Sequence, residues 1–355
     1  MTYKVCMGDG SLTEMDKSQL YEELESGSIA AANESGINQL SENNIDKLLS
    51  ILIEPGKVVG VEKGDEVVFT QDDGGMRLIV DQADGGVGTS LSRPQAVHTH
   101  ERAFATDSIE IGHIDYSFKP TKPIIAQEQQ TLENILINTI TPVWYGSMPN
   151  LGYYYNPDGP FPNPGPLMKD GKIDKALEAQ EKAVDKSIED IEYIAKKLAK
   201  LGLDGLNLDT TGAAGDPDFK AALKTTEKLK SQKETNQIPI EIGMAAEYVL
   251  GMHGNLKYKG QTLAGTWPHR QAKLAEKAGA DIFGPVVNTD TNKSFPWNLA
   301  RAVTFVKKTT EEAEIPIHVN MGMGVGGIPM FETPPVEAVT RASKSMVEVA
   351  GVDGI

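Results

Sequence analysis

Cysteine is almost absent: Cys6 stands alone in 355 residues. No internal disulfide can form, and a site built on several thiolates is excluded. Positive charge is scarce too, with 34 Lys and Arg against 50 Asp and Glu and a formal net charge of −16. Nucleic-acid binding needs a basic footprint, and no basic run supplies one. The acidic balance favours solubility or a positively charged partner, and adaptation to a salty cytoplasm leaves the same signature. No apolar run approaches the ~20 residues that span a bilayer, and the N-terminus has no signal-peptide apolar core. A cytoplasmic protein is therefore expected. A chain of this length buries a large core, as one large domain or two ordinary ones.

What the chain does have is a repeat. Leu201-Gly202-Leu203-Asp204-Gly205-Leu206, Ala278-Gly279-Ala280-Asp281-Ile282-Phe283 and Ala350-Gly351-Val352-Asp353-Gly354-Ile355 share one pattern. Each follows an amphipathic run, so each reads as a helix end, a glycine that tolerates left-handed φ, then a buried strand. Ile238-Pro239-Ile240-Glu241-Ile242 and Ile315-Pro316-Ile317-His318-Val319 fall between the copies. Strands are expected at 204–209, 240–245, 281–287 and 317–321, short and mostly apolar as parallel strands buried on both faces should be. Helices are expected near 219–230, 271–277, 299–308 and 336–349. One strand per ~37 residues suits a strand–helix unit, and the twofold texture favours a TIM-type (β/α)8 barrel over an open doubly wound sheet.

The rest of the chain frames this repeat. Residues 1–100 read as an N-terminal α+β cap or lid region, with helical stretches at 16–25 and 42–52, short β-like runs at 58–61 and 67–69, and Gly-Asp clusters at 72–75 and 81–88. Residues 101–355 read as the barrel. A loop over 148–166, dense in Pro, Gly and Tyr, is long enough to be functional. An amphipathic helix over 172–200, roughly 40 Å long, exceeds an ordinary barrel helix and predicts an insertion or an oligomer contact; a homo-oligomer is expected.

Chemistry in such a barrel sits at the C-terminal ends of the strands. Those ends carry Asp209-Thr210-Thr211, Glu247, Asn288-Thr289-Asp290, His318 and Asn320. Each also has a plain reading as a helix cap; together they describe a site of carboxylates and amides with few cations. Trp144, Tyr145, Tyr153–Tyr155 and Trp267 fall near the same rim, either as a cation–π cage for a methylated ammonium or as rings packed beneath loops. Gly322-Met323-Gly324-Val325-Gly326-Gly327 fits G-x-G-x-x-G, yet prolines rather than a helix start follow it, which argues for a wide turn against a dinucleotide loop. His98, His100 and Glu101 lack a partner motif, so no metal is expected.

Several long strings carry a resemblance: Thr99–Phe104, Gly112–Pro120, Met148-Pro149-Asn150, Pro157–Phe161, Leu250–Leu256, Trp297–Ala302 and Met321–Pro329. Along essentially its whole length the chain resembles the dimethylamine:corrinoid methyltransferases of methylotrophic methanogenesis. The resemblance implies methyl transfer from dimethylamine to the Co(I) corrinoid of a cognate corrinoid protein, with no cofactor bound directly. It also implies a pyrrolysine, read from an in-frame amber codon after a string like 351–355, whose imine holds the amine as an adduct. A chain ending at Ile355 is then expected to be truncated at that codon, to leave the barrel incomplete at its C-terminus with unpartnered strand edges, and to be inactive and either poorly soluble or loosened in its C-terminal third. A base must first deprotonate dimethylammonium; Glu247 and then Asp209 are the candidates, with Asn288, His318 and Asn320 as hydrogen-bonding groups. Two alternatives remain. A barrel lyase or aldolase wants a strand-end lysine or a metal, and the strand ends offer neither. A non-catalytic chain that docks on the corrinoid protein is the other.

Overall fold

A computed structural model describes residues 2–72, 93–115, 121–148, 150–209, 215–251 and 256–355. The expected repeat is its scaffold. Strands β3 (Thr70–Asp72), β4 (Ser108–Asp115), β5 (Val143–Met148), β6 (Gly205–Asp209), β7 (Ile240–Gly243) and β10 (Ile282–Gly284) form one parallel, six-stranded sheet in the order β3-β4-β5-β6-β7-β10. Helices α7 (Asp216–Lys230), α8 (Pro268–Ala278), α9 (Phe295–Glu312) and α10 (Val336–Ser345) alternate with the later strands. β8 (Lys257–Tyr258) and β9 (Gln261–Thr262) form a small antiparallel pair inside the β7–α8 connection.

The sheet curls as the half-barrel of an incomplete TIM-type (β/α)8 architecture, and two shorter segments join its edges. Ile317 pairs with Phe283 of β10, His318 pairs with Gly354, and Gly354 pairs with Val68 just ahead of β3. Main-chain bonds run along this seam: His318 N–H to Phe283 O at 3.0 Å, Asp353 N–H to Ile317 O at 2.9 Å, Ile355 N–H to Val68 O at 2.9 Å and Thr70 N–H to Ile355 O at 2.8 Å. The eighth segment amounts to 353–355. The unpartnered edges expected from the sequence are therefore bridged, because even three residues in register offer their N–H and C=O groups to both neighbours.

The Gly-x-Asp repeat has a physical explanation in this seam. Gly202, Gly279 and Gly351 sit at φ of +84°, +91° and +74°, the left-handed region that ends a helix cheaply only with glycine. The aspartate two residues on then accepts the first amide of the neighbouring strand: Asp204 from Val143 N at 2.8 Å, Asp281 from Ile240 N at 2.7 Å, Asp353 from Ile317 N at 2.9 Å. One residue type thus ends the helix and the next sets strand register. Asp204→Ala is expected to destabilise the fold by about 1.5 kcal/mol, the low end for a hydrogen bond to a charged acceptor, read as a lower urea midpoint at unchanged slope.

The N-terminal region splits between two places. The hairpin β1 (Thr2–Cys6)–β2 (Leu12–Asp16) leads into α1 (Lys17–Ser35), and α2 (Glu42–Ile53) follows. A capping box starts α1, with Asp16 accepting Gln19 N–H at 3.0 Å and Gln19 accepting Asp16 N–H at 2.8 Å. The helix crosses α9 where Gly27 lies against the Trp297 carbonyl, an approach that a Cβ would block. α2 packs on α10 and the π-helical turn Met346–Ala350. These helices cover the barrel's outer wall, while Gly8 in the hairpin turn reaches the loops above the strands, donating to Lys293 O and accepting from Met330 N, both at 2.7 Å. Residues 68–72, within the range read as cap, are a barrel strand. The cluster at 81–88 lies outside the described residues.

The long helix is α6 (Ile173–Leu198), preceded by the short α5 (Pro164–Lys169). On one face Ala183, Val184 and Ile188 form a separate small core with Leu151, Tyr154, Tyr155 and Ala221. Helices α3 (Arg93–Phe104) and α4 (Thr121–Asn138) complete the layer beside β4 and β5. The G-x-G-x-x-G stretch is a packed turn, with Gly324 O accepting Thr289 N–H at 2.8 Å and Gly326 N–H donating to Val287 O at 2.9 Å. Glu101 is held by the α4–β5 turn, accepting Ile140 N–H at 3.0 Å, with His98 3.3 Å from its other oxygen; the side chain of His100 lies outside the described set.

Candidate active site

Residues two apart on a strand share a face, and along the barrel strands polar residues alternate with branched apolar ones. Ile109, Ile111, Leu206, Leu208, Ile240, Ile242, Ile317 and Val319 are at most 1% exposed and face the helices, each contributing ~1.5–3 kcal/mol by burial. Between them, Glu110, Asn207, Asp209, Glu241, His318 and Asn320 line a cavity of about 560 Å³ at the C-terminal end of the barrel. The expectation of strands apolar on both faces is corrected here: only the helix-facing half is apolar. Barrel interiors are ordinarily filled by bulky side chains. Here Gly243 and Gly284 occupy inward positions, and a methyl on Gly284 would lie 2.9 Å from Glu241 Oε1. Glycine is what leaves the space open.

Two hydrogen-bonded groups organise the cavity wall. Asn207 Nδ2 donates to Glu110 Oε2 at 3.0 Å. Opposite, His318 Nδ1 is 2.9 Å from Glu241 Oε1, and its Nε2 is 2.7 Å from Thr70 Oγ1, which donates to Ile355 O at 3.3 Å. Burial opposes a charge on His318, but the Glu241 carboxylate and its hydrogen bond, the Ile355 carbonyl and Glu110 more than offset it and raise the imidazole to about 9. At neutral pH His318 is therefore an imidazolium: Nδ1–H donates to Glu241, Nε2–H to Thr70, and the Thr70 hydroxyl to Ile355. Among the described lining residues it is the one titratable cation, and no lysine is among them.

The expected site residues divide. Asp209, His318 and Asn320 come together at the cavity. Glu247 and Asn288 form a separate cluster at the rim: Glu247 Oε2 accepts Asn288 N at 3.0 Å and Nδ2 at 3.1 Å, and its Oε1 accepts Arg301 Nη2 at 2.9 Å. Arg301, 9% exposed, also donates to Glu34 of α1 at 2.7 Å. Trp144 faces inward in register with Glu110 and Gly205, with its ring against Gly205. Tyr145 is fully buried in the main core on the helix side. Trp267 stacks on Phe305 with centroids 5.1 Å apart, and Tyr154 donates to Asp190 at 3.0 Å, so these rings do not converge on one cage. Thr210 and Thr211 lie outside the described residues. The residues that strand-end reading missed are Thr70, Glu110, Asn207 and Glu241. For the last three the signal was a single polar residue between two branched apolar ones on a short strand; Thr70, between Phe69 and Gln71, carries no such signal.

Among solved structures, a methyltransferase from Methanosarcina mazei is 11% identical, with 85% of this chain and 97% of that chain covered at a TM-score of 0.41. The homocysteine methyltransferase MmuM from Escherichia coli is 10% identical, covering 79% and 97% at 0.41. A variant carboxyl transferase domain of Rhizobium etli pyruvate carboxylase, with pyruvate, is 16% identical over 82% of this chain, at 0.41; this chain spans 40% of its length. Likenesses at this level carry no inference about chemistry. The sequence profile of dimethylamine methyltransferases, by contrast, matches residues 1–355 in full. The chain belongs to the dimethylamine methyltransferase family.

Proposed function

We propose that this protein transfers a methyl group from dimethylamine to the Co(I) centre of a corrinoid carried by a partner protein, and that a pyrrolysine follows Ile355. The observation that carries the reading is the acceptor-rich cavity at the mouth of the barrel, with no lysine among its described lining residues, in a chain that matches this family from end to end. The open space left by Gly243 and Gly284, beside Asn320, fits a long polar side chain entering from the eighth strand segment. When present, pyrrolysine supplies an electrophilic imine for the amine, and the corrinoid supplies the nucleophile for its methyl carbon.

The chain's own residues bind, orient and move a proton. Dimethylamine reaches the site as dimethylammonium, and Asp209 takes its proton: an N–H bond breaks, the electron pair stays on nitrogen, and a carboxyl O–H forms. Asn320 offers a donor on the wall, and the His318 imidazolium, with both N–H groups engaged, balances part of the negative charge of Glu110 and Glu241. Arg301 anchors the rim by holding Glu247 and Asn288. The 355-residue chain by itself, without the electrophile, is inactive in this reading.

The test uses the protein purified from its native host, mixed with dimethylammonium and the reduced corrinoid protein. Loss of the Co(I) absorbance band with formation of methylated corrinoid, from a protein whose intact mass runs past Ile355 by a pyrrolysine-sized residue, is the expected result. An active protein whose only mass ends at Ile355, or a longer protein that leaves the corrinoid unmethylated, overturns the proposal.

A further inference from the structure

Strand register puts Thr70 beside the residue that follows Ile355. Gly354 pairs with His318 on one side and with Val68 on the other. A Cβ on Gly354 would lie 3.1 Å from His318 Cδ2, so this position faces the barrel interior. Two places beyond Gly354 the same face carries the next residue, in register with Asn320 and Thr70, both of which line the cavity. The internal repeat places it the same way: aligning Asp204, Asp281 and Asp353 sets that residue level with Asn207 and Gly284, which also line the cavity. Its backbone begins at the Ile355 carbonyl, and that oxygen accepts twice from one residue. Thr70 N–H reaches it at 2.8 Å as a rung of the parallel ladder, and the Thr70 hydroxyl at 3.3 Å.

The direction of that hydroxyl is set from behind. A hydroxyl has one proton to give. Thr70 Oγ1 accepts Nε2–H of the His318 imidazolium at 2.7 Å, which leaves its own proton for Ile355, while Glu241 holds Nδ1–H at 2.9 Å. A neutral His318 would keep its remaining proton on Nδ1, against the Glu241 carboxylate, and present Nε2 as an acceptor. Thr70 would then donate to Nε2 and release Ile355. The charged groups facing the imidazole are Glu241 of β7 and Glu110 of β4, with Asp209 of β6 on the same cavity, and all three favour the cation. We infer that Thr70, oriented by His318 and Glu241, is a positioning residue that fixes the peptide after Ile355 and so aims the following side chain into the cavity. The inference rests on the pyrrolysine reading above and adds what holds the stem of the electrophile. A peptide unit is planar, so holding the Ile355 carbonyl holds the plane in which the next residue begins. A long side chain magnifies any tilt at its root, and a misplacement of ~1 Å at the reacting atoms costs about 10²-fold in rate.

Two variants made in the native host test this. Thr70→Val keeps the shape of the side chain and the main-chain rung but removes the hydroxyl, and Thr70→Ser restores it. Single-turnover decay of the Co(I) band is expected to slow about ten- to 10²-fold in Thr70→Val and to stay within about threefold of wild type in Thr70→Ser. The ratio of wild type to Thr70→Val should shrink toward one above about pH 9, where His318 gives up its proton and wild type loses the same bond. Hydrogen exchange of 351–355, which needs neither amine nor corrinoid, should run about fivefold faster in Thr70→Val and at the wild-type rate in Thr70→Ser. Equal slowing in both variants, no slowing in Thr70→Val, or a ratio independent of pH overturns the positioning role. Where Thr70→Val fails to fold, wild-type exchange decides. Its protection at 351–355 should fall above about pH 9 by more than intrinsic base catalysis explains, and constant protection overturns the role. A wild type that leaves the corrinoid unmethylated removes the function itself, whereas a methylating wild type whose Thr70 variants behave alike removes only the positioning role.

Discussion

Asp209→Asn is expected to lower corrinoid methylation about 10²- to 10⁴-fold, the usual worth of a positioned general base. Asparagine keeps the size and the hydrogen-bonding oxygen of the side chain but cannot take a proton at working pH. Dimethylammonium would still be seated, so amine affinity should change far less than the rate. Single-turnover decay of the Co(I) band separates the two. Glu247→Gln in the same assay is expected to stay within about threefold, since Glu247 is tied to Arg301 and Asn288 at the rim and does not line the cavity. The opposite ranking would return the proton-acceptor role to Glu247.

The second large effect concerns stability and pH. His318 is raised from an ordinary 6.5 to about 9 in the folded protein. A group whose folded value lies above its unfolded one stabilises fully below the unfolded value and ceases to as pH rises through the folded one. The imidazolium therefore contributes roughly 3 kcal/mol below about pH 6.5, at 1.36 kcal/mol per unit, and that contribution fades between pH 6.5 and about 9. Glu241→Gln removes the charge that holds the proton, lets His318 fall toward its ordinary value, and flattens this slope. Urea unfolding at pH 6 is expected to show the variant less stable by about 3 kcal/mol, the low end for breaking a buried ion pair, with the gap narrowing markedly by pH 9.5. A gap independent of pH would mean that the Glu241–His318 contact does not carry the proton.

Much of the scaffold was legible because its signals are local. The Gly-x-Asp repeat marks helix ends and strand starts through the conformation of one residue and the carboxylate of another, and strands begin at 205, 240 and 282, close to where the repeat places them. The amphipathic period of α6 identified the helix, but the packing of Ala183, Val184 and Ile188 against Leu151, Tyr154 and Tyr155 had no signal along the chain. By sequence the segment 67–72 reads as part of a cap. A short β-like run looks the same whether it closes a barrel or crosses an outer layer, and only its partners, Gly354 on one side and Ser108 on the other, tell the two apart.

The candidate site divides along the same line. Asp209, His318 and Asn320 were accessible from sequence because strand ends can be counted. Glu247 was equally plausible by position, and its engagement with Arg301 and Glu34 depends on how α1, α9 and the β7–α8 connection pack together. The sequence by itself determined the periodicity, the register-setting aspartates, the scarcity of cations at the strand ends and the family resemblance, all carried by neighbours along the chain. Tertiary structure alone decided that Glu110, Asn207, Glu241 and Thr70 share one cavity, that His318 holds its proton, and that Gly243 and Gly284 leave that cavity open. Those facts arise from strands meeting around a barrel, and interactions between residues far apart in sequence have no signature in either partner alone.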